Sequence, residues 1–361
     1  MADAHAPVAA FTLAEITSLR AAILGWYDSH RRELPWRAGV GETADPYHVW
    51  LSEIMLQQTT VPAVKGYYAQ FLARWPTVAD LAVAPIDDVM HAWAGLGYYA
   101  RARNLHRCAQ AVAAEWGGRF PSDAAALRSL PGIGDYTAAA IAAIAFGKPA
   151  APVDANIERV VSRLAMIAQP VSPAKTAVKG VASTLEPQTR PGDWAQALMD
   201  LGSAICTARA PKCLICPAVQ WCRASAAGSP EALPVKPPKK ARPTRTGRVY
   251  WLGRDDGAIL LRLRPPKGML GGLWEFPSAG WDDRDAAMRD PAVEALAPNW
   301  QPHPARIGHV FTHFAVELEV WTGTARPGLN IPDGARWSTP DRLADLALPT
   351  LMKKVARAVL V

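Results

Sequence analysis

The stretch Leu130–Ile141, LPGIGDYTAAAI, interrupts an apolar run with one proline and two glycines and then resumes as a helix former. A tight turn over Pro131, Gly132, Ile133 and Gly134 that ends at a helix start leaves several backbone N–H groups without a partner in the chain. Such a terminus is suited to an anion, and the missing side chains at Gly132 and Gly134 let a phosphate come close. A plain helix–turn–helix with a glycine cap has the same pattern, so the turn alone leaves both readings open. Tyr136, the one large residue at the start of the second helix, is what a functional reading must explain.

Outward from this hairpin, near 122–146, the chain reads as helices up to about Cys206. FTLAEITSLRAAILGWYDSH opens with Thr12 and Glu15 at capping-box spacing and continues with helical periodicity. PYHVWLSEIMLQQT, VPAVKGYYAQFLARW, PIDDVMHAWAGL, YYARARNLHRCAQAVAAEW, DANIERVVSRLAMI and GDWAQALMDLGSAIC follow, separated by Pro, Gly, Ser or Asp. Residues 1–227 are therefore expected to be all-α. Residues 228–247, GSPEALPVKPPKKARPTRTG, hold five prolines among basic residues and are expected to run extended as a linker. From 248 to 361 the pattern is α+β. GRVYWLG, AILLRLR and GLWEFPS read as strands, RDDGA as a turn, and IGHVFTHFAVELEVWTG as a strand pair. A helix is expected from about Asp282, and another in LPTLMKKVARAVL at the end. No internal repeat is visible.

A chain of 361 residues, half of them hydrophobic, is expected to form two or three globular domains. The longest apolar stretch, Thr137–Phe146, is too short to span a bilayer, and the first residues lack the pattern of a secretory signal. The expectation is a monomeric, cytoplasmic protein without a membrane partner. The net charge of +7 is concentrated: residues 228–248 carry six Lys and Arg against one Glu, whereas 249–361 balance at 13 against 13. A solvated linker and a nucleic-acid contact both fit that distribution.

Four of five cysteines, Cys206, Cys213, Cys216 and Cys222, fall in a C-x6-C-x2-C-x5-C array within 17 residues, and Cys108 lies apart in a helical pattern. Four thiols so close, in a chain read as cytosolic, point to a metal centre rather than disulfides. Zinc accepts four cysteines, but the uneven spacing suits a four-iron–four-sulfur cluster better. Arg209, Lys212 and Arg223 lie in or beside the array, so the metal reads as a staple that aims a basic loop.

Two carboxylates stand out. Glu53 lies mid-helix among Leu51, Ile54, Met55 and Leu56, where desolvation favours the protonated acid. Asp154 stands where a helix begins, a place that favours the ionised form. A buried, paired glutamate and a simple N-cap aspartate have the same signatures.

The hairpin, the aspartate in PVDANIERV and the cysteine array together resemble the endonuclease III superfamily of DNA base-excision glycosylases. Within it the chain is similar to the MutY-type adenine glycosylases. LPWR at 34–37, SEIMLQQT at 52–59, GLGYYARARNL at 95–105, QALMDLGSAIC at 196–206 and HVFTHF at 309–314 carry the likeness. It extends over nearly the whole chain beyond the first dozen residues.

The resemblance implies hydrolysis of the N-glycosidic bond of adenine mispaired with 8-oxoguanine or guanine in double-stranded DNA, in the cytoplasm, at a bacterial nucleoid. Glu53 matches the acid that protonates adenine N7, Asp154 the anion beside the sugar, and Tyr136 and Asn156 the supporting polar groups. Bifunctional relatives have lysine at the position of Tyr136; tyrosine forms no Schiff base, so base release without efficient strand cleavage is implied. Arg37 and Gln196 match residues that grip the extruded adenine. Gln58, flanked by Gln57 and Thr59, fills the vacated stack, and Leu96, Gly97 and Tyr98 form a wedge beside the orphaned partner base. Gly132 and Gly134 belong to the DNA-binding hairpin, and the four cysteines hold one 4Fe–4S cluster.

The C-terminal domain resembles a Nudix-like reader of 8-oxoguanine, with Phe311, Thr312 and His313 at the lesion. The family more commonly has serine at the middle position; threonine keeps the hydroxyl and adds a methyl group. A hydrolytic Nudix helix needs clustered glutamates for magnesium, and WDDRDAAMRDPAVEALA contains only Glu294. Two other functions share the scaffold: a bifunctional pyrimidine-lesion lyase, opposed by Tyr136, and a non-catalytic DNA-binding protein, opposed by the pair Glu53 and Asp154.

Overall fold

The computed structural model describes residues 11–169, 171–236, 241–282, 287–326, 328–346 and 348–360. Contacts divide the chain into two compact units, Met1–Val83 with Asn104–Pro238, and Ala84–Arg103 with Lys239–Val361.

The first unit is helical. Helix α1 (Leu13–His30) starts on the expected capping box: Thr12 Oγ1 accepts the Glu15 N–H, and the Glu15 carboxylate accepts the Thr12 N–H. Helix α2 (Pro46–Leu56) is capped by Asp45 and has Pro46 in its first turn. It is buried on nearly every side, from Tyr47 through Met55, which explains its nearly continuous apolar sequence. Helices α3 (Val61–Arg74) and α4 (Val78–Val83) follow; α5 (Ile86–Ala92) falls in the second unit, and α6 (Ala100–Glu115) comes next. The hairpin lies between α7 (Ala124–Ser129) and α8 (Asp135–Phe146).

Helices α9 (Ala155–Leu164), α10 (Val171–Leu185) and α11 (Pro191–Ala204) close the unit, with a short α12 (Arg223–Ala226) beyond the cysteines. Their core joins Ile16, Leu19, Ile23 and Tyr27 of α1 to Val160, Val161 and Leu164 of α9 and to Trp194, Leu198 and Leu201 of α11. Two glycines set the approach of α11. A Cβ at Gly192 would meet the Ala143 carbonyl at 2.7 Å, and one at Gly202 would meet Asn156 Cβ at 2.6 Å. The alanines of α8 and these glycines let three helices converge on one region.

The second unit is built on a seven-stranded sheet in the order β3-β2-β1-β6-β5. Strands β1 (Thr244–Gly253), β2 (Ile259–Leu263), β3 (Trp274–Glu275) and β4 (Ser278–Ala279) cover the three predicted segments. Strand β1 runs parallel to β6 (Ala315–Thr324) over ten paired positions, and β5 (Gln301–Val310) forms an antiparallel hairpin with β6. Val249 and Trp251 face one core and Leu252 the other, so both faces of β1 are covered and VYWL reads as a continuous apolar run. Strand β7 (Ala335–Ser338) pairs with β2, and α14 (Thr350–Leu360) is the expected terminal helix.

Three expectations need correction. Thr244–Gly247, read as linker, already pair with β6, and Leu233 is buried with its carbonyl accepting from Arg163; residues 237–240 of that segment lie outside the described residues. The helix expected from Asp282 falls partly on 283–286, also outside them; the described helix is the short α13 (Pro291–Glu294), capped by Asp290. Helix α10 was not anticipated; its buried face, Ala174, Val178, Ala182 and Leu185 among the described residues, contains only two large apolar residues. Among the described residues no helix is long and apolar enough to cross a membrane.

Candidate active site

Glu53 is buried in α2 although it carries a carboxyl group. Burial, against the pull of a Tyr136 hydrogen bond and helped by the charge of Asp154, pushes its pKa up to about 7. The Tyr136 hydroxyl is pushed well above its ordinary value by burial first and then by Glu53 and Asp154. It therefore stays a proton donor rather than a nucleophile. The last turn of α2 is braced from α8, where Gln57 Nε2 donates to Thr137 Oγ1 at 3.3 Å.

Asp154 is the N-cap of α9. Its Oδ1 accepts the Asn156 and Ile157 N–H groups at 2.9 and 2.7 Å, and its Oδ2 accepts from Asn156 Nδ2 at 2.8 Å. Three donors thus hold the carboxylate at the positive end of a helix. The Asn156 side-chain Oδ1 in turn accepts from Arg159, whose guanidinium also donates to the backbone carbonyls of Gly202 and Cys206. Hydrogen bonds and charge therefore couple Glu53, Tyr136, Asp154 and Asn156 into one group.

Arg37 acts on Glu53 through its charge, but its hydrogen bonds go to Asp200, a residue that sequence reasoning missed. Asp200 is buried in α11 and also accepts from Arg32. Burial opposes its charge, and Arg37 and then Arg32 outweigh it, so the carboxyl lies below its usual range. A charged residue amid ALMDLG was the available signal. Gln196 donates to Gly192 of its own helix.

In the hairpin, Gly132 has φ +78° and a Cβ there would lie 2.6 Å from Asn104 Cβ, so the protein itself requires this glycine. Gly134 is different: as the N-cap of α8 it has an ordinary φ of −92°, and nothing lies within 4 Å of a Cβ built on it. Gln58 is exposed and left-handed at φ +55°, strained for a residue with a side chain, and Thr59 Oγ1 donates to the Gln57 carbonyl beside it.

Within the second unit, Leu96 is buried whereas Tyr98 is exposed and left-handed at φ +49°. The Tyr98 and Thr312 hydroxyls are hydrogen-bonded at 2.5 Å. Phe311, Thr312 and His313 form the tip of the β5–β6 hairpin, closed by the Phe311 N–H donating to the Phe314 carbonyl at 2.8 Å. Thr312 and His313 are exposed and Phe311 is half-buried. Glu294 is occupied by Arg289, Tyr250 and Arg248.

The four cysteines of the array line one small pocket together with Arg163 and Ile205, and none is in a disulfide. Burial pushes the Cys216 thiol up to about 11, and the neighbouring cysteine sulfurs push it the same way. Four sulfurs gathered in this way favour a cationic group between them. Among the described residues, no three His, Cys, Asp or Glu side chains converge as a site for a single ion.

Residues 51–181 match the model of the HhH-GPD superfamily of base excision DNA repair proteins, and residues 248–358 match the NUDIX domain model. The class is thus a helix–hairpin–helix DNA repair protein with a Nudix-type second part. A solved thermostable thymine-DNA glycosylase is 32% identical, with a TM-score of 0.53 over 59% of this chain and 98% of that one. The adenine DNA glycosylase of Homo sapiens is 37% identical over 96% of this chain and 74% of its own length. That of Mycolicibacterium smegmatis is 42% identical over 58% of this chain and 70% of its own. The chain belongs to the adenine DNA glycosylase family.

Proposed function

We propose that the enzyme hydrolyses the N-glycosidic bond of adenine mispaired with 8-oxoguanine, or with guanine, in duplex DNA. The observation that carries this reading is the pair of carboxyl groups in opposite surroundings: Glu53 buried and pushed up to about 7, Asp154 held by three donors at a helix start. Cleaving the bond requires a proton on the departing base and negative charge beside an oxocarbenium-like sugar. Glu53 supplies the proton to adenine N7. Asp154 supplies the anion, or a transient bond to the sugar, until water adds at the anomeric carbon, releases Asp154 and gives its proton to the ionised Glu53. Tyr136 hydrogen-bonds Glu53 and has no amine to form a Schiff base, so the product is an abasic site in an unbroken strand.

By the family likeness, the backbone N–H groups at Gly134 and the first turn of α8 take a phosphate of the bound strand, Gln58 fills the stack that the extruded nucleotide vacates, and Leu96 and Tyr98 wedge beside the orphaned base. Thr312 and His313 read the partner base. Cys206, Cys213, Cys216 and Cys222 fit a 4Fe–4S cluster: four thiols free of disulfides line one pocket, and their uneven C-x6-C-x2-C-x5-C spacing suits that group better than zinc. Bound there, the cluster supplies positive charge to four thiolates and fixes the loop bearing Arg209 and Lys212.

The test is incubation with duplex containing adenine opposite 8-oxoguanine, analysed with and without hot alkali. Strand breaks are expected mainly after alkali. Breaks of equal yield without alkali would replace this reading with a lyase, and none in either arm with a binding protein.

A further inference from the structure

We propose that Trp281 is a positioning residue for recognition of the base opposite adenine, acting through a flat stack on Phe311. The inference rests on the reading of the Phe311–His313 hairpin as the reader. The Trp281 indole is fully buried and lies parallel to the Phe311 ring within 6°, with centroids 5.7 Å apart. The Arg264 guanidinium lies 5.1 Å from the indole centroid. The indole N–H donates to Ser278 Oγ at 2.9 Å, and Ser278 donates to Glu275 at 3.0 Å. Glu275 is itself buried and gripped by Arg262 at 2.9 Å and Arg264 at 2.6 Å.

This arrangement leaves the indole little freedom. Its edge is fixed by a hydrogen bond, a cation and a second ring are in ring contact with it, and its backbone is packed tightly. A Cβ at Gly247 would come within 2.9 Å of Trp281 Cβ and 2.5 Å of the Ala279 carbonyl. Phe311 also packs edge-on to His309 and tilted against Phe314. Phe311 is therefore committed to the protein side of the hairpin, and Thr312 and His313 are the side chains the tip presents to DNA. Parallel aromatic pairs carry an orientation as well as buried area. A residue without a planar face would leave the hairpin free to tilt.

The full-length protein carrying Trp281→Leu tests this, beside Trp281→Phe, Ser278→Ala and the double variant Thr312→Ala, His313→Ala. Each is assayed for kcat and KM on duplexes with adenine opposite 8-oxoguanine and opposite guanine. Trp281→Leu is expected to lower the preference for the 8-oxoguanine duplex about threefold to tenfold, the range that loss of one aromatic pair gives. The change should fall in KM, with kcat unaltered, and Trp281→Phe should restore most of it. A folded Trp281→Leu with the wild-type preference overturns the proposal. Should that variant not fold, Ser278→Ala decides: it frees the indole N–H without opening a large cavity, and an unchanged preference is again contrary. The double variant separates the two levels. If it loses the preference while the Trp281 and Ser278 variants keep it, Trp281 alone is wrong; if it keeps the preference, the reader assignment falls and Trp281 with it.

Discussion

Arg37 and Asp200 form a bidentate pair, with Nη1 and Nη2 donating to the two carboxylate oxygens at 2.7 and 2.8 Å, and both side chains are buried. The pair joins the loop after α1 to α11 across 163 residues of sequence. Arg37 also lowers the pKa of Glu53, so Asp200 sets how much positive charge the Glu53 carboxyl feels. Asp200→Asn leaves a buried guanidinium without its counter-charge. The expected destabilisation in urea unfolding is about 3–5 kcal/mol. The less neutralised Arg37 should also move the alkaline limb of the excision profile to lower pH. An unchanged limb would show that Arg37 does not act on Glu53.

Activity and stability both fall as Glu53 ionises, and Glu53→Gln separates them. With a folded pKa of about 7, the acid form is present below neutrality, so excision should fall as pH rises through about 7. For stability, the folded protein holds a proton that the unfolded chain releases near pH 4.5. Stability is therefore lost as pH rises from about 4.5 to 7, and the deficit persists above that range. Glu53→Gln should abolish base release and retain DNA binding. It should also be more stable than wild type by about 2–3 kcal/mol at pH 8, with no gain near pH 4. Glu186, another buried carboxyl pushed up to about 8, titrates in the same direction in both proteins and cancels in the difference. A variant that releases adenine at the wild-type rate would remove Glu53 as the acid.

Much of this site was legible because it depends on short-range patterns. Asp154 caps a helix that its own tripeptide begins, and Glu53 is surrounded by the apolar residues of its own helix, so local sequence carries their environments. Asp200 could be noticed as a charge in an apolar helix, but its partners Arg32 and Arg37 are distant in sequence, and no spacing rule links them. Trp281 was equally opaque, since its meaning depends on Phe311 across a sheet. The helix α10 was missed because alanine alternates with Val178 and Leu185 on its buried face and marks the period weakly, and β7 because four residues show no period. Proline suggested a linker as far as 247, but strand pairing with β6 takes over from Thr244.

The cysteine array predicts a composition. Purified protein should contain iron and acid-labile sulfide in equal amounts, without stoichiometric zinc, and absorb in the visible. Cys216→Ser should lose the absorbance and expose the segment 206–228 to limited proteolysis, with a marked loss of DNA affinity because Arg209 and Lys212 are no longer held. Zinc in place of iron would overturn the cluster assignment while leaving the catalytic group untouched.

The two glycines of the hairpin should fail in different ways. Gly132→Ala places a Cβ 2.6 Å from Asn104 at a φ of +78°, so the hairpin must distort, and a stability loss of about 1–3 kcal/mol is expected together with weaker DNA binding. Gly134→Ala adds a methyl group in open space at a φ of −92°, which alanine adopts readily. The free protein should change little in stability, because the stiffer unfolded chain favours alanine by about 0.5 kcal/mol while alanine's poorer N-capping opposes it by a similar amount. If a phosphate closes on the N–H groups at the start of α8, that methyl group stands in its way. DNA affinity should then drop several-fold, and the slope of log affinity against log salt should become shallower by about one phosphate contact. Thermal unfolding and salt-dependent binding of the two variants distinguish a glycine needed for the fold from one needed for the ligand. A Gly134→Ala protein that binds duplex as tightly as wild type would place the phosphate elsewhere.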